Sequence, residues 1–133
     1  MIEVNELRTG IILKPIRPRH HEEFITVESF DGAIVNCTFR GYDLDELHPI
    51  PLTEEILLKC GFEKEGSYNY RYNNLKIHEI NLKSCWVDAS NSEHVWYFVF
   101  HQAGKMFHIK CKYLHQFQNL YFALTGEELE VKL

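Results

Sequence analysis

The feature that most constrains this chain is a run of fourteen residues without ionic side chains, from Tyr113 to Gly126. A helix on a protein surface normally carries charges on its outer face. We therefore predict a helix that is covered on more than one side and ends at Gly126, since glycine tolerates the left-handed conformation found at helix ends. Its buried stripe follows helical spacing and comprises Leu114, Phe117, Leu120, Tyr121 and Leu124.

The opposite side of this helix carries His115, Gln116, Gln118, Asn119, Phe122 and Ala123, and Phe122 is flanked there by His115, Gln118 and Asn119. Two interpretations stay open. In the first, the helix is central, and its amides and imidazole bond to nearby backbone, as buried polar groups usually do. In the second, Phe122 anchors a partner-binding face, because uncharged polar groups around an aromatic ring suit a protein interface.

Composition restricts the class of protein. The chain has 133 residues, of which 45% are hydrophobic and 14% aromatic, so it is long enough for one packed domain or two very small ones. The net charge of -5, without a dense basic stripe, argues against general binding of DNA or RNA. No charge-poor run reaches the length of a membrane span, and the first residues do not form a signal-peptide pattern. We therefore expect a cytoplasmic location and no membrane partner.

The order of strand and helix patterns predicts an α+β fold. Residues 1–51 read as short strands with a hairpin at Asp31-Gly32 and one helical turn at 43–47, which suggests a small SH3-like β-barrel unit. Residues 52–133 read as a helix–sheet–helix unit, an antiparallel sheet with two helices. The two units join without a flexible linker, and one continuous domain is the alternative.

The second predicted unit opens with a short helix, for which Thr53 is a good N-cap and Gly61 a good end. In the run 95–100, hydrophobic residues do not alternate with polar ones. Both faces of this strand should therefore be covered, and we predict it as the central strand. Residues 128–131 are predicted as a last edge strand.

Two long motifs and one short one are distinctive. Residues 49–62 read PIPLTEEILLKCGF, residues 113–129 read YLHQFQNLYFALTGEEL, and residues 5–10 read NELRTG. Together they resemble a family of small uncharacterised proteins from gut bacteria, their phages and mobile elements. The resemblance implies an intracellular and phage-linked setting. It implies no activity, cofactor or catalytic residue.

Catalytic and metal sites are not predicted. His108, Cys111 and His115 form a His-x2-Cys-x3-His run, but structural zinc normally takes four ligands with paired short spacings. A strand here would also point His108 and Cys111 to opposite faces. The chain has no Gly-x-Ser-x-Gly elbow and no glycine-rich phosphate loop. We therefore predict no metal, no cofactor and no catalytic residue, and buried, reduced cysteines.

The expected function is protein binding without catalysis, and the expected partner is an unidentified protein or a second copy of this chain. The alternative is a small protein associated with single-stranded nucleic acid, in which Tyr68, Tyr70 and Tyr72 stack on bases beside Arg71. A simpler explanation of these tyrosines is an aromatic sheet face that a helix or loop covers. An uncharacterised enzyme is the third alternative.

Overall fold

A computed structural model describes residues 2–17, 23–37, 40–73, 78–88, 90 and 95–133. It shows a mixed α+β fold of mainly strands with two helices, as the sequence predicts. The chain divides into two compact units. Met1–Pro51 and Tyr113–Asn119 form the first unit, and Leu52–Lys112 and Leu120–Leu133 form the second. These units reflect proximity in space, so the predicted domain boundary stays a prediction.

In its described residues the first unit contains six short strands: β1 (Ile12–Pro15), β2 (Ile25–Thr26), β3 (Ser29–Asp31), β4 (Ile34–Cys37), β5 (Arg40–Asp43) and β6 (Leu47–His48). They form two three-stranded sheets with the orders β2-β1-β6 and β3-β4-β5, and every pair is antiparallel. Within the described residues these sheets do not close into a barrel. The predicted SH3-like barrel is therefore not confirmed.

Local sequence signals explain the turns of the first unit. The predicted Asp-Gly hairpin joins β3 to β4, with Asp31 paired to Ile34 across it. One turn of 3-10 helix at Leu44–Glu46 follows β5, where the sequence predicts a helical turn. The Asp43 N–H donates to the Glu46 carboxylate at 3.1 Å, which fixes the start of this turn.

The core of the first unit consists of apolar side chains that alternate with more exposed neighbours along the strands. Leu13 and Val35 show this alternation, the period-two pattern of a half-buried strand. Both side chains are completely buried. The buried cluster comprises Ile2, Leu7, Ile11, Leu13, Ile25, Val27, Val35, Cys37, Tyr42 and Leu47.

The second unit consists of an antiparallel sheet and a short helix. The elements in this part of the chain are α1 (Glu54–Lys59), β7 (Phe62–Lys64), β8 (Asn69–Tyr72), β9 (Asn81–Val87), β10 (Trp96–Gln102), β11 (Lys105–Cys111) and α2 (Leu114–Thr125). The strand order in the sheet is β11-β10-β9-β8-β7. Helix α2 contributes its first residues to the first unit and its last residues to the second.

Helix α2 is the predicted charge-free helix. It ends before Gly126, which has a φ of 74°. Leu114, Phe117 and Tyr121 of the predicted stripe are buried, and Leu120 and Leu124 are half-buried. Neither α1 nor α2 has the length and apolar character needed to cross a membrane as a helix.

One further prediction of secondary structure is confirmed. The Thr53 hydroxyl accepts a hydrogen bond from the Ile56 N–H at 3.2 Å and caps α1. The strand predicted to be central and covered on both faces is β10. It lies inside the sheet between β9 and β11, but the middle strand is β9, and Tyr97 on one face of β10 is only half-buried.

The predicted edge strand at 128–131 is wrong, because these residues form no strand. No strand pairing holds this segment. Its Leu129 side chain is buried instead, with 4% of its surface exposed. One backbone bond follows it, from the Lys132 N–H to the Lys59 carbonyl at 2.9 Å.

We expect Phe98→Ala to lower the free energy of unfolding of the second unit by about 3–5 kcal/mol, since it replaces a fully buried ring by a cavity. Leu58→Ala is the matched control: Leu58 is 47% exposed, and its truncation should cost about 0.5 kcal/mol or less. Both tryptophans, Trp86 and Trp96, lie in this unit, so urea unfolding followed by tryptophan fluorescence measures both variants. Equal losses in the two variants would contradict the buried position of Phe98.

Candidate functional site

Two polar side chains of α2 in the first unit, Gln118 and Asn119, bond to the N-terminal backbone. The Gln118 side chain accepts from the Ile12 N–H at 2.8 Å and donates to the Gly10 carbonyl at 3.1 Å. The Asn119 side chain donates to the Glu6 carbonyl at 2.9 Å. Buried amides normally find backbone partners of this kind. Gln118 and Asn119 therefore follow the first of the two interpretations of this helix.

His115 is 1% exposed, and its ring stacks on that of Tyr113 with centroids 6.0 Å apart. Its Nε2 lies 3.4 Å from the Glu6 carboxylate without hydrogen-bond alignment, so the contact is electrostatic. Burial lowers the pKa of His115, and the Glu6 carboxylate opposes this effect only in part. The imidazole is therefore neutral at pH 7.

The carboxyl group of Glu6 has a lowered pKa. Burial acts to raise it, but the Glu3 N–H, which donates to this carboxylate at 2.9 Å, and the nearby His115 together outweigh burial. This pair is thus a negative carboxylate beside a neutral ring.

The four residues of α2 that the sequence predicts as partner contacts differ in their exposure to solvent. His115 and Gln118 are each 1% exposed, and Asn119 is half-buried. Phe122, in the second unit, is 40% exposed. Their role in partner binding stays a prediction.

The three tyrosines of the predicted base-stacking face also differ in exposure. Tyr70 is 3% exposed and packs on Trp96 with ring centroids 5.4 Å apart. Tyr72 is half-buried, and its ring centroid lies 4.9 Å from that of Phe62. Tyr68 is 54% exposed. The sheet core therefore takes up Tyr70 and most of Tyr72, as the simpler explanation of these residues predicts.

Arg71 points away from these rings, because successive strand residues face opposite sides of the sheet. Its guanidinium contacts Glu63 at 3.3 Å and Glu65 at 3.5 Å. Two carboxylates thus offset its charge, and the structure does not bring Arg71 and the tyrosines onto one exposed face.

The cysteines are poor candidates for catalysis. Burial raises the pKa of the Cys60 and Cys111 thiols to about 12 and raises that of Cys85 as well. These thiols are therefore not thiolates at neutral pH. In the described ranges no group of three His, Cys, Asp or Glu residues is placed to hold a metal ion. Within β11, His108 is exposed and Cys111 is buried on the other face, as predicted.

A cleft of about 490 Å³ opens in the second unit. His78 stands beside it, with Nε2 3.4 Å from both the Tyr121 hydroxyl and the Glu127 carboxylate. Both distances exceed those of well-formed hydrogen bonds. The lining mixes lysines with carboxylates: Leu58, Lys59, Cys60, Gly61, Tyr72, Asn73, Tyr121, Glu127, Glu128, Glu130 and Lys132.

The five-stranded sheet buries Phe98 and Phe100 on one face. Its opposite face carries an aromatic cluster that the sequence did not predict. Residues directly opposite each other on antiparallel strands share a face. Trp86 is opposite Tyr97, and Tyr97 is opposite Lys110 on the next strand. We call this surface the open face and define it by Trp86, Tyr97, Met106, His108 and Lys110.

The aromatic rings of the open face contact one another. The rings of Trp86 and Tyr97 stack with centroids 4.3 Å apart and an angle of 13° between their planes. The His108 ring meets Trp86 edge-on at 6.4 Å. Trp86 and Tyr97 are half-buried, whereas Met106 is 59% exposed. The result is a stacked aromatic surface that solvent still reaches.

The three strands that form the open face carry basic but no acidic side chains. Strands β9, β10 and β11 contain three lysines and two histidines but no Asp or Glu. Sequence reasoning missed the surface because the run 95–100 lacks alternation and was expected to be covered on both faces. The available signal was the alternate spacing of Met106, His108 and Lys110, which marks one exposed side of β11.

We expect the stability of the first unit to fall as the pH drops below about 6.5, the ordinary pKa of histidine. The folded-state pKa of His115 is lowered, so the unfolded chain binds more protons in this range and unfolding becomes easier. His115→Leu should flatten this dependence, and Glu6→Gln should steepen it by removing the carboxylate that favours the charged ring. Urea midpoints at several pH values measure both effects.

An NMR titration of the wild-type protein provides a check that needs no variant. The ring signals of His115 should titrate below about 6.5, the ordinary pKa of histidine. The expectation fails if His115 titrates at or above the ordinary value, or if His115→Leu leaves the slope unchanged.

Comparison with known proteins supplies no relative from which a function follows. Neither protein-family models, nor curated proteins, nor solved structures match this chain. The resemblance to small proteins of gut bacteria and their phages therefore stays an expectation from sequence motifs. The function has to be argued from the geometry of the surfaces themselves.

Proposed function

We propose that this protein is a non-enzymatic binding protein that acts through protein–protein contacts, with the open face as its contact surface. The observation that carries this proposal is the stacked pair of Trp86 and Tyr97 on a sheet surface that solvent reaches. Helix α2 offers a partner less accessible surface than the open face does, because His115 and Gln118 are buried.

The composition of the open face is that of an interface centre. Protein interfaces are enriched in Trp, Tyr and Met and depleted in Asp and Glu. The open face holds Trp86, Tyr97 and Met106, and its three strands carry no carboxylate. A few rigid aromatic residues usually supply most of the binding free energy. Because the two rings are already stacked, a partner does not have to immobilise them.

Single-stranded nucleic acid is the competing ligand, since aromatic rings and lysines also form its binding sites. A base stacks on the free face of a ring. Trp86 and Tyr97 each cover one face of the other at 4.3 Å, which reduces the ring surface available for bases. This arrangement favours a protein partner over a nucleic acid.

The biological setting belongs to the same proposal. The sequence motifs support an accessory role in a phage or mobile element and a cytoplasmic location. An SH3-like arrangement of residues 1–51 is likewise supported by its short strands and its 3-10 turn. The genes next to the coding sequence would test the phage link.

The binding experiment starts with a photo-crosslinking amino acid at Met106, used in the native cell to identify the partner. Binding of the purified partner is then measured with each variant. We expect Trp86→Ala to weaken this binding by at least about 30-fold, the effect of losing an aromatic anchor. Tyr68→Ala, which removes an exposed ring elsewhere in the second unit, should change the affinity by about twofold or less.

Circular dichroism shows whether Trp86→Ala remains folded, and Lys110→Glu provides a second variant at an exposed position of the same face. Full binding by both variants would contradict the proposed surface. Salt-dependent binding of single-stranded oligonucleotides that is lost in Trp86→Ala would favour the nucleic-acid alternative instead.

A further inference from the structure

We infer that the partner of the open face is an acidic segment of a protein chain, in which carboxylates flank an apolar or aromatic anchor. This inference rests on the proposed function, because it takes the open face as a protein contact surface and adds the chemistry of the partner. Two observations carry it. The open face offers hydrogen-bond donors that have no acceptor in the described residues, and the ionic charge next to its stacked rings is positive.

The strand register shows which side chains share the side of the sheet that holds the open face. Ser84 lies opposite Val99, and Val99 lies opposite His108. His101 lies opposite Met106 in the same ladder. Residues directly opposite each other on antiparallel strands project to the same side. On this side, β9, β10 and β11 therefore present aromatic, hydroxyl, imidazole, thioether and ammonium groups, but no carboxylate.

Two side chains of the open face can donate hydrogen bonds but cannot accept them. Trp86 has an indole N–H, and Lys110 has an ammonium group. Trp86 is half-buried and Lys110 is exposed, and no described residue accepts a hydrogen bond from either side chain. A partner that covers these donors has to supply acceptors, because a donor that is buried without an acceptor lowers the affinity.

The ionic charge beside the stacked rings comes from Lys110. Its position on the ladder is directly opposite Tyr97, and among the described residues no carboxylate forms an ion pair with it. Arg71 of β8 lies on the same side of the sheet but contacts two carboxylates, those of Glu63 and Glu65. The charge that a partner meets next to the rings is therefore positive, and its complement is a carboxylate.

The carboxylate that follows β9 does not offset this charge. Asp88 lies two residues after Trp86 in the sequence. Its Oδ1 accepts hydrogen bonds from the Ser90 N–H at 3.0 Å and from the Ser90 hydroxyl at 2.6 Å. Asp88 thus stabilises its own turn, and the acceptors for Trp86 and Lys110 have to come from the partner.

The charge of the whole chain makes an acidic partner a specific expectation. The net charge is -5, so the long-range field of the protein favours cationic ligands. A preference for an acidic segment therefore has to come from a local surface whose charge differs from that of the chain. The open face is such a surface.

Phosphate groups also accept hydrogen bonds, so single-stranded nucleic acid is the competing ligand here as well. Sites for nucleic acid follow the phosphate backbone with several cations. The open face has a single lysine, and its stacked rings leave less surface for bases. An acidic protein segment needs one cation beside an apolar contact, which is the arrangement of Lys110 next to Tyr97.

Two labelled synthetic peptides of equal length serve as probes in the binding experiment. Both contain a central tryptophan, which is flanked by glutamates in the acidic peptide and by lysines in the basic peptide. Fluorescence anisotropy measures their affinity for the full chain. We expect the acidic peptide to bind at least about 10-fold more tightly than the basic one, with a preference that weakens as the salt concentration rises.

Two variants and a matched control assign this preference to the open face. Lys110→Glu should abolish the preference for the acidic peptide, because it reverses the charge beside the rings. Trp86→Ala should weaken binding of the acidic peptide by about 10-fold or more. Lys132→Glu makes the same change in net charge at an exposed position outside the open face, and it should leave the preference intact.

The outcomes separate this inference from the proposed function. Equal or tighter binding of the basic peptide by the wild-type protein would overturn the inference, as would a preference that survives Lys110→Glu. Tighter binding of oligothymidylate than of the acidic peptide, lost in Trp86→Ala, would overturn it in favour of nucleic acid.

The native partner provides a check that needs no folded variant. Mass spectrometry of the partner crosslinked at Met106 identifies the segment that lies on the open face. A segment without Asp or Glu would overturn the inference and leave the proposed function standing. Binding of that partner that does not depend on Trp86 would instead contradict the proposed function itself.

Discussion

The antiparallel register of β10 with its two neighbours is the constraint on which the second unit depends. It places Phe98 and Phe100 in the core and brings Tyr97 against Trp86 on the other side of the sheet. It also directs every second backbone group of β11 to the sheet edge. A shift of one residue would exchange the two faces and remove both the core and the aromatic surface.

The polar residues of α2 illustrate a related constraint in the first unit. A helix without charges still has amides that need partners once they are buried. Gln118 meets this need with the backbone of Gly10 and Ile12, which lies next to the helix in this unit. Such paired bonds are specific in direction, so they fix the helix against the N-terminal segment more precisely than apolar contact alone.

Local signals allowed much of the fold to be predicted. The Thr53 cap, the Asp31-Gly32 hairpin and the charge-free helix each depend on a few neighbouring residues, and the structure contains all three. The exposure of Trp86 and Tyr97 could not be predicted, because it depends on which strands lie beside β9 and β10. The burial of His115 and Gln118 likewise depends on a segment about 110 residues away, as the Gln118–Ile12 bond with its separation of 106 shows.

The four cysteines are all buried and unpaired, one in the first unit and three in the second. A thiol reagent reaches such a sulfur only when the surrounding structure opens. The rate at which Cys37 reacts would report opening of the first unit, and the rates of Cys60, Cys85 and Cys111 would report opening of the second. The chain thus carries natural probes that tell apart the local motions of its two halves.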